Sequence, residues 1–329
     1  MPGNPFIGKR DSIGVGIETT PGTVVAPQAW QRQMALTLDP KTTVVQNSSA
    51  MGRVEDINDS AVTEEWVDGS INGIVSDINI GYFLANIFGI VTPTLHSSET
   101  TVWDNTFTAT SSALPPSLTF ARSNPARSQR FGMGTLTDLE IDIKQNDWVQ
   151  FTATVTAKSG AVSTETVVYA ATNHFTSKHV TIKTAANLAG LSGATALQAK
   201  SLKLKISRKT ERFTPLGTID PVSFDPNAWG VTGTVVMRYT DTTLEDVAFA
   251  NTAQALSIAI VNTDVTIGTA TKPALTFTAP KIRLDPQTLD NKLDQTLSQT
   301  FNFHAELDQT AGYMMQAVLT NTQNGYAHA

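Results

Sequence analysis

Cysteine is absent from the chain, which excludes a disulfide framework and thiol redox chemistry. Charged residues are scarce at 16%, yet hydrophobic ones reach 40%, the balance of a folded chain and not of a disordered one. Long apolar runs are missing too. The nearest, Ile78 to Val91, falls short of the roughly 18 residues a spanning helix needs, and Asn79, Gly81 and Asn86 interrupt it. The opening MPGNPFIGKRDS holds no apolar core of signal-peptide length, so a soluble protein folded in the cytoplasm, with no membrane partner, is expected. Basic residues are outnumbered, 23 against 29 acids, and a net charge of −6 argues against a reader of nucleic acid. The imbalance is uneven: residues 1–165 carry 10 bases and 17 acids (10 − 17 = −7), residues 166–329 carry 13 and 12 (13 − 12 = +1).

Catalytic signatures are equally sparse. GVG at 14–16 lacks the third glycine of a dinucleotide fingerprint, and GKR at 8–10 lacks the loop and the hydroxyl residue of a P-loop. VEDINDSAVTEEW at 54–66 begins like a calcium loop, but counting from Asp56 puts Ala61 where glycine must turn and Val67 where a glutamate must close the site. The histidines His96, His174, His179, His304 and His328 show no metal-ligand spacing, and no G-x-S-x-G elbow occurs. Glu140 and Asp142 share one strand face, but Lys144 shares it too, which points to a salt-bridged surface. No catalytic, cofactor-binding or metal residue is therefore assigned, no cofactor is expected, and the chain reads as a non-enzyme. Trp66 and Trp229 precede similar strands and are read as packing residues; Trp30, Trp103 and Trp148 are read as core or interface, with a sugar-stacking platform as the alternative.

What the chain does contain is alternation. In LEIDIKQNDWVQFTATVTA at 139–157, Leu139, Ile141 and Ile143 oppose Glu140, Asp142 and Lys144, and after a Gln-Asn-Asp turn Val149, Phe151, Ala153 and Val155 alternate with Gln150 and threonines. That is a hairpin with one buried and one solvated face. Similar runs recur along the chain, and only about 76–89 and about 241–255 read as helices, each behind an aspartate cap candidate. Several segments echo one another in order: IGVGIE with VTIKTA, LTLDPKT with LKISRKT (offset 168), GSINGIVSD with GTVVMRYTD (offset 164), FLAN with AFAN, PPSLTF with KPALTF, and FTATVTA with FNFHAEL (offset 150). The fold expected from these echoes is mainly β: two tandem copies of one β-rich domain, 1–172 and 173–329, each with one helix, produced by internal duplication.

A duplicated β domain without a reactive site reads as a building or binding module. Its strand edges must be covered or joined to another chain, and edges that match head to tail generate rings or filaments. Glu55, Asp56, Asp59, Glu64, Glu65 and Asp68 crowd the first half, whereas Lys200, Lys203, Lys205, Arg208, Lys209 and Arg212 crowd 200–212. Two solvated surfaces are one reading; patches that meet between neighbouring subunits are the other.

SIGVGIETTPGTVVAP, LTLDPKTTVVQNSSAMGRVEDINDSAV, HVTIKTAANLAGLSGATAL and AIVNTDVTIGTATKPALTF together resemble the major tail tube protein family of long non-contractile-tailed bacteriophages. The resemblance implies tail-tube-like β-sandwich or barrel domains, each with one flanking helix, in a virion structural protein, assembled in the host cytoplasm, that forms stacked rings around a lumen walled by strands from all subunits. With two tube domains per chain, a trimeric, pseudo-hexameric ring is implied. The implied partners are further copies of the chain, tape measure protein in the lumen, and the tail terminator and distal tail proteins; genome DNA would pass without specific binding. MPGNPFIGKRDS and residues 42–62 are the segments expected to reach adjacent rings. The rival reading is a phage adhesin or a carbohydrate-binding double sandwich that uses Trp103 or Trp148.

Overall fold

The structure, a computed structural model, describes residues 7–109, 114–291 and 293–326, so the first six residues of the expected N-terminal arm lie outside it. The first half comprises β1 (Ser12–Ile17), β2 (Ala29–Gln31), β3 (Gln33–Asn47), β4 (Asp59–Ile74), helix α1 (Ile80–Phe88), β5 (Gly89–Leu95), β6 (Trp103–Ala109), β7 (Leu118–Ser123), β8 (Ser128–Lys144), β9 (Gln150–Ala157) and β10 (Ala161–Ser163). The second comprises β11 (Val180–Ala185), β12 (Ala199–Phe213), β13 (Ser223–Arg238), helix α2 (Thr243–Phe249), β14 (Gln254–Val261), β15 (Ala274–Leu284), β16 (Thr288–Asp290), β17 (Ser298–Ala305) and β18 (Gln316–Asn321). The protein is mainly β, and the ladders between these strands are antiparallel.

Alternation decides the faces. Leu139, Ile141 and Ile143 of β8 and Leu202, Leu204 and Ile206 of β12 are buried, while the charged residues between them face outward. The strands run side by side in the order β3-β4-β9-β8-β12-β13-β17, and β15 and β16 lie in line along the outer side of β17. This sheet therefore passes without interruption from the first half into the second. β8 is long enough to serve two sets of neighbours: its start pairs with β7 and β10, its end with β9 and β12. Met133, at φ 54°, and a register shift at Leu136–Asp138 lie where it changes partners. β15 behaves alike, pairing first with β14 and β18 and then with β17.

One hairpin crosses the boundary. β5 and β6 follow α1 in sequence, but β6 pairs with β18 along Trp103–Thr108, so they extend the sheet β11-β14-β15-β18 of the second half.

The helices differ from the sequence reading. All nine residues of α1 are buried, so it is a core element and not a flanking one; a segment apolar nearly all round has no face to offer water. Its one amide, Asn86, is satisfied by donating to Pro116 O and accepting from Leu136 N. α1 begins at Ile80 and not near 76 because Asp77 is engaged by Asn173, and the Ser76 hydroxyl takes the Asn79 N–H. Gly89, at φ 99°, ends it. α2 is short and superficial: Asp241 accepts from Thr243 N, Asn251 turns the chain at φ 49°, and Gln254 is already in β14. Phe249, at its end, is exposed.

PPSLTF and KPALTF lead into β7 and β15, which do not hold like positions. β7 lies between β1 and β8, whereas β15 has the partners just described; β14, flanked by β11 and β15, is the strand placed as β7 is.

Candidate assembly interface

The junction between the halves shows how this sheet joins strands. β8 and β12 pair from Lys144 opposite Ser201 to Asp138 opposite Ser207, and Ile141 and Leu204, directly opposite, are each 1% exposed. On the outer face Lys203 Nζ lies 2.7 Å from Glu140, Lys205 Nζ lies 3.2 Å from Asp138, and Lys144 Nζ lies 2.6 Å from Asp142. Each ammonium is neutralised by a carboxylate, so the Glu140–Asp142 pair belongs to a salt-bridged surface. Burying the apolar row dominates this joint, since exposed ion pairs contribute about 0–1 kcal/mol each.

The acidic and basic stretches do meet, but within one chain. Arg212 makes a two-pronged contact with Glu64 at 2.7 and 3.0 Å, and its guanidinium carbon sits 3.6 Å over the Trp66 ring. The Arg212 and Thr214 hydrogen bonds hold the Glu64 carboxyl below its ordinary range. Glu65 N donates to Ile219 O, so the β12–β13 hairpin tip rests on β4. Arg208 is not part of a surface patch. Only 3% exposed, it donates from Nη2 to Phe88 O at 3.2 Å, while Trp229 donates from Nε1 to Ile87 O at 3.2 Å and packs on Phe88. The second half thus caps the C-terminal carbonyls of α1, where a cation is favoured by the helix dipole. Intersubunit register set by these two patches is corrected accordingly: the partners of Lys203, Lys205, Arg208 and Arg212 are intramolecular.

Further polar anchors left no sequence signal. Glu99, in a turn, accepts from the backbone of Thr269, Ala270 and Thr271 and from the Thr271 hydroxyl, which lowers its pKa to about 2. It ties the β5–β6 hairpin to the second half. Glu18, 4% exposed, gathers Ser117, Thr119 and the amides of Gly22 and Met133. Tyr326 is buried, donates to Ile78 O, and meets Tyr82 edge-on at 5.2 Å; burial holds its phenol well above 10.

The remaining residues singled out in the sequence are dispersed. His96 contacts Asp104, and His179 is buried against Asp264. His304 is half-exposed and reaches Glu306 only at 3.9 Å. No group of three or more histidines and carboxylates placed to hold a metal occurs among the described residues. Trp148 is 47% exposed and edge-on to His174; Trp103 is half-buried in β6 opposite Asn321 and Leu95. The two are not neighbours on one strand ladder.

The sheet ends openly on both sides. Among the described residues β3 is paired with β4 alone, and Met34 on it is 58% exposed beside a groove of about 940 Å³ lined by Gly8, Arg32, Ala35, Leu36 and Tyr169. At the other margin the line of β15 and β16 carries Leu289, 46% exposed. An unpaired edge as long as that of β3 invites strand addition.

The fold is thus a wide, mainly β antiparallel sheet with a polar outer face and two open margins. The family model described as phage tail tube protein matches residues 8–305, and the chain belongs to that family. It is a structural tail tube subunit, self-assembling and part of the virion tail. No curated protein matches the chain. Among the described residues no helix is long and apolar enough to cross a membrane.

Proposed function

We propose that the chain stacks as trimeric, pseudo-hexameric rings into a hollow conduit for tape measure protein and then genome DNA, assembled in the host cytoplasm and closed by tail terminator and distal tail proteins. Two duplicated domains, 1–172 and 173–329, supply the pseudo-symmetry. The observation that carries this reading is the continuous sheet from β3 to the β15–β16 margin, because it already joins one half to the other edge to edge. The strand neighbours support duplication. β1, β7, β8 and β10 are joined as β11, β14, β15 and β18 are, and β3, β4 and β9 as β12, β13 and β17 are. The β5–β6 hairpin has no counterpart between α2 and β14.

The outer face of the sheet, with its threonines and paired ions, is the lumen wall in this reading. Lys144, Lys203 and Lys205 on this wall are each paired with a carboxylate, so at those positions phosphates meet no unneutralised cation. The test is electron microscopy of purified protein at rising concentration. Hollow tubes whose cross-section contains three chains are expected; dispersed monomers at high concentration, or rings of six chains, would refute the respective part.

A further inference from the structure

We infer that β3 of one copy adds to the β15–β16 margin of the next copy in the register of the internal β8–β12 seam, with Leu38 opposite Leu289. The inference rests on the tube reading and specifies its contact.

Two rows across the sheet establish the register. In the first half Leu38 pairs with Gly69, Gly69 with Val155, and Val155 with Leu136. In the second half Leu204 pairs with Gly233, Gly233 with Phe303, and Phe303 with Leu284. The glycines are required in both rows: a Cβ on Gly69 would lie 1.9 Å from Thr37 O, and one on Gly233 would lie 2.3 Å from the Phe303 ring. The irregularities coincide as well. β3 shifts register between Gln33 and Ala35, as β12 does between Ala199 and Ser201. β8 gains one residue on β9 after Leu136 (136 + 155 = 291, then 138 + 154 = 292). The β15–β16 line gains one on β17 after Leu284 (284 + 303 = 587, then 288 + 300 = 588).

At the internal seam the row through Leu204 continues to Ile141, five residues beyond Leu136 (141 − 136). Carried to the open margins, the row through Leu38 continues to the residue five beyond Leu284, which is Leu289 (284 + 5). Leu289 is exposed where its counterpart Ile141 is covered by β12, so the partner strand supplies the missing apolar contact. Antiparallel pairing then sets Asp39 opposite Thr288. The lysines of the internal seam have no counterpart at Thr37 and Asp39, so this joint is the less ionic of the two.

The absence of native cysteine makes disulfide trapping unambiguous. Asp39→Cys with Thr288→Cys brings two exposed positions to a directly opposed separation of about 4.5–5.5 Å between Cα atoms, within disulfide reach. Thr37→Cys with Thr288→Cys is displaced by two residues, beyond about 7 Å. After oxidation of assembled tubes, denaturing non-reducing gels are expected to show linked chains up to the closed ring for the first pair, roughly tenfold more than for the second. Tubes that form but link no better through the first pair overturn the register while leaving the tube reading intact. Failure of the unsubstituted protein to form tubes overturns both.

Discussion

Replacement of Arg208 tests whether the second half holds α1 by its C-terminus. Two effects oppose each other there. A charged hydrogen bond to Phe88 O contributes about 1.5–3 kcal/mol, and the cation at the helix C-terminus contributes up to about 2 kcal/mol, partly the same energy counted twice. Against this, the guanidinium is withdrawn from water, its Nη1 has no hydrogen-bond partner among the described residues, and burial lowers its pKa; an orphaned buried donor costs about 1–3 kcal/mol. Arg208→Met removes both sides of the balance while keeping most of the volume, so a change within about 1 kcal/mol is expected. Arg208→Ala, like Arg208→Met, leaves the Phe88 carbonyl unanswered and adds a void, for a loss of about 2–4 kcal/mol. Arg208→Glu places a carboxylate against the negative end of the helix and is expected to be the worst of the three. Urea unfolding of the dilute, unassembled protein, followed by tryptophan fluorescence with Trp229 in contact with the site, gives the order Met, Ala, Glu. A tolerated Glu would refute the capping argument.

Glu99→Gln is expected to lower the urea midpoint at pH 7. The Glu99 pKa is depressed to about 2 from 4.5, so its contribution is fully present above pH 4.5 and is lost as pH falls towards 2; the gap between wild type and variant, measured in steps across that range, must narrow. Gly81→Ala would gain up to about 1 kcal/mol in helix propensity, but its Cβ would lie 2.0 Å from the Tyr326 ring, so a net loss of about 1–3 kcal/mol and faster carboxypeptidase trimming at the C-terminus are expected. Arg212→Ala should cost about 1–2 kcal/mol and release the β12–β13 tip, seen as faster proteolysis at 214–219; Arg212→Lys, which cannot make the forked contact, should restore less than half of that.

Face and register were not equally legible in the sequence. Alternation at 139–157 and 201–206 assigns the buried residues correctly, because a strand's side chains repeat every two residues. The same periodicity hides slips of two. Matching LTLDPKT to LKISRKT gives an offset of 168, whereas the duplication proposed above, taken through the rows at Gly69 and Gly233, would set Leu38 against Leu204, an offset of 166 (204 − 38). FTATVTA and FNFHAEL are displaced likewise, 150 against 148 (303 − 155). α1 was expected as a flanking helix although its residues are apolar nearly all round, and its enclosure by strands of both halves was not legible because Arg208 and Trp229 lie more than a hundred residues away. The two charge clusters were visible as composition; which carboxylate each lysine meets depends on β8 lying beside β12, a pairing that no local pattern encodes.

The β5–β6 hairpin gives synthesis a definite order. Asn105 hydrogen-bonds Asn321, a partner made 216 residues later, and Glu99 awaits the turn at 269–271, also made late. While the ribosome works through the second half, β6 has β5 on one side and an open edge on the other. A chain interrupted before β18 therefore keeps that edge exposed as a mark of incompleteness. A completed chain has closed it.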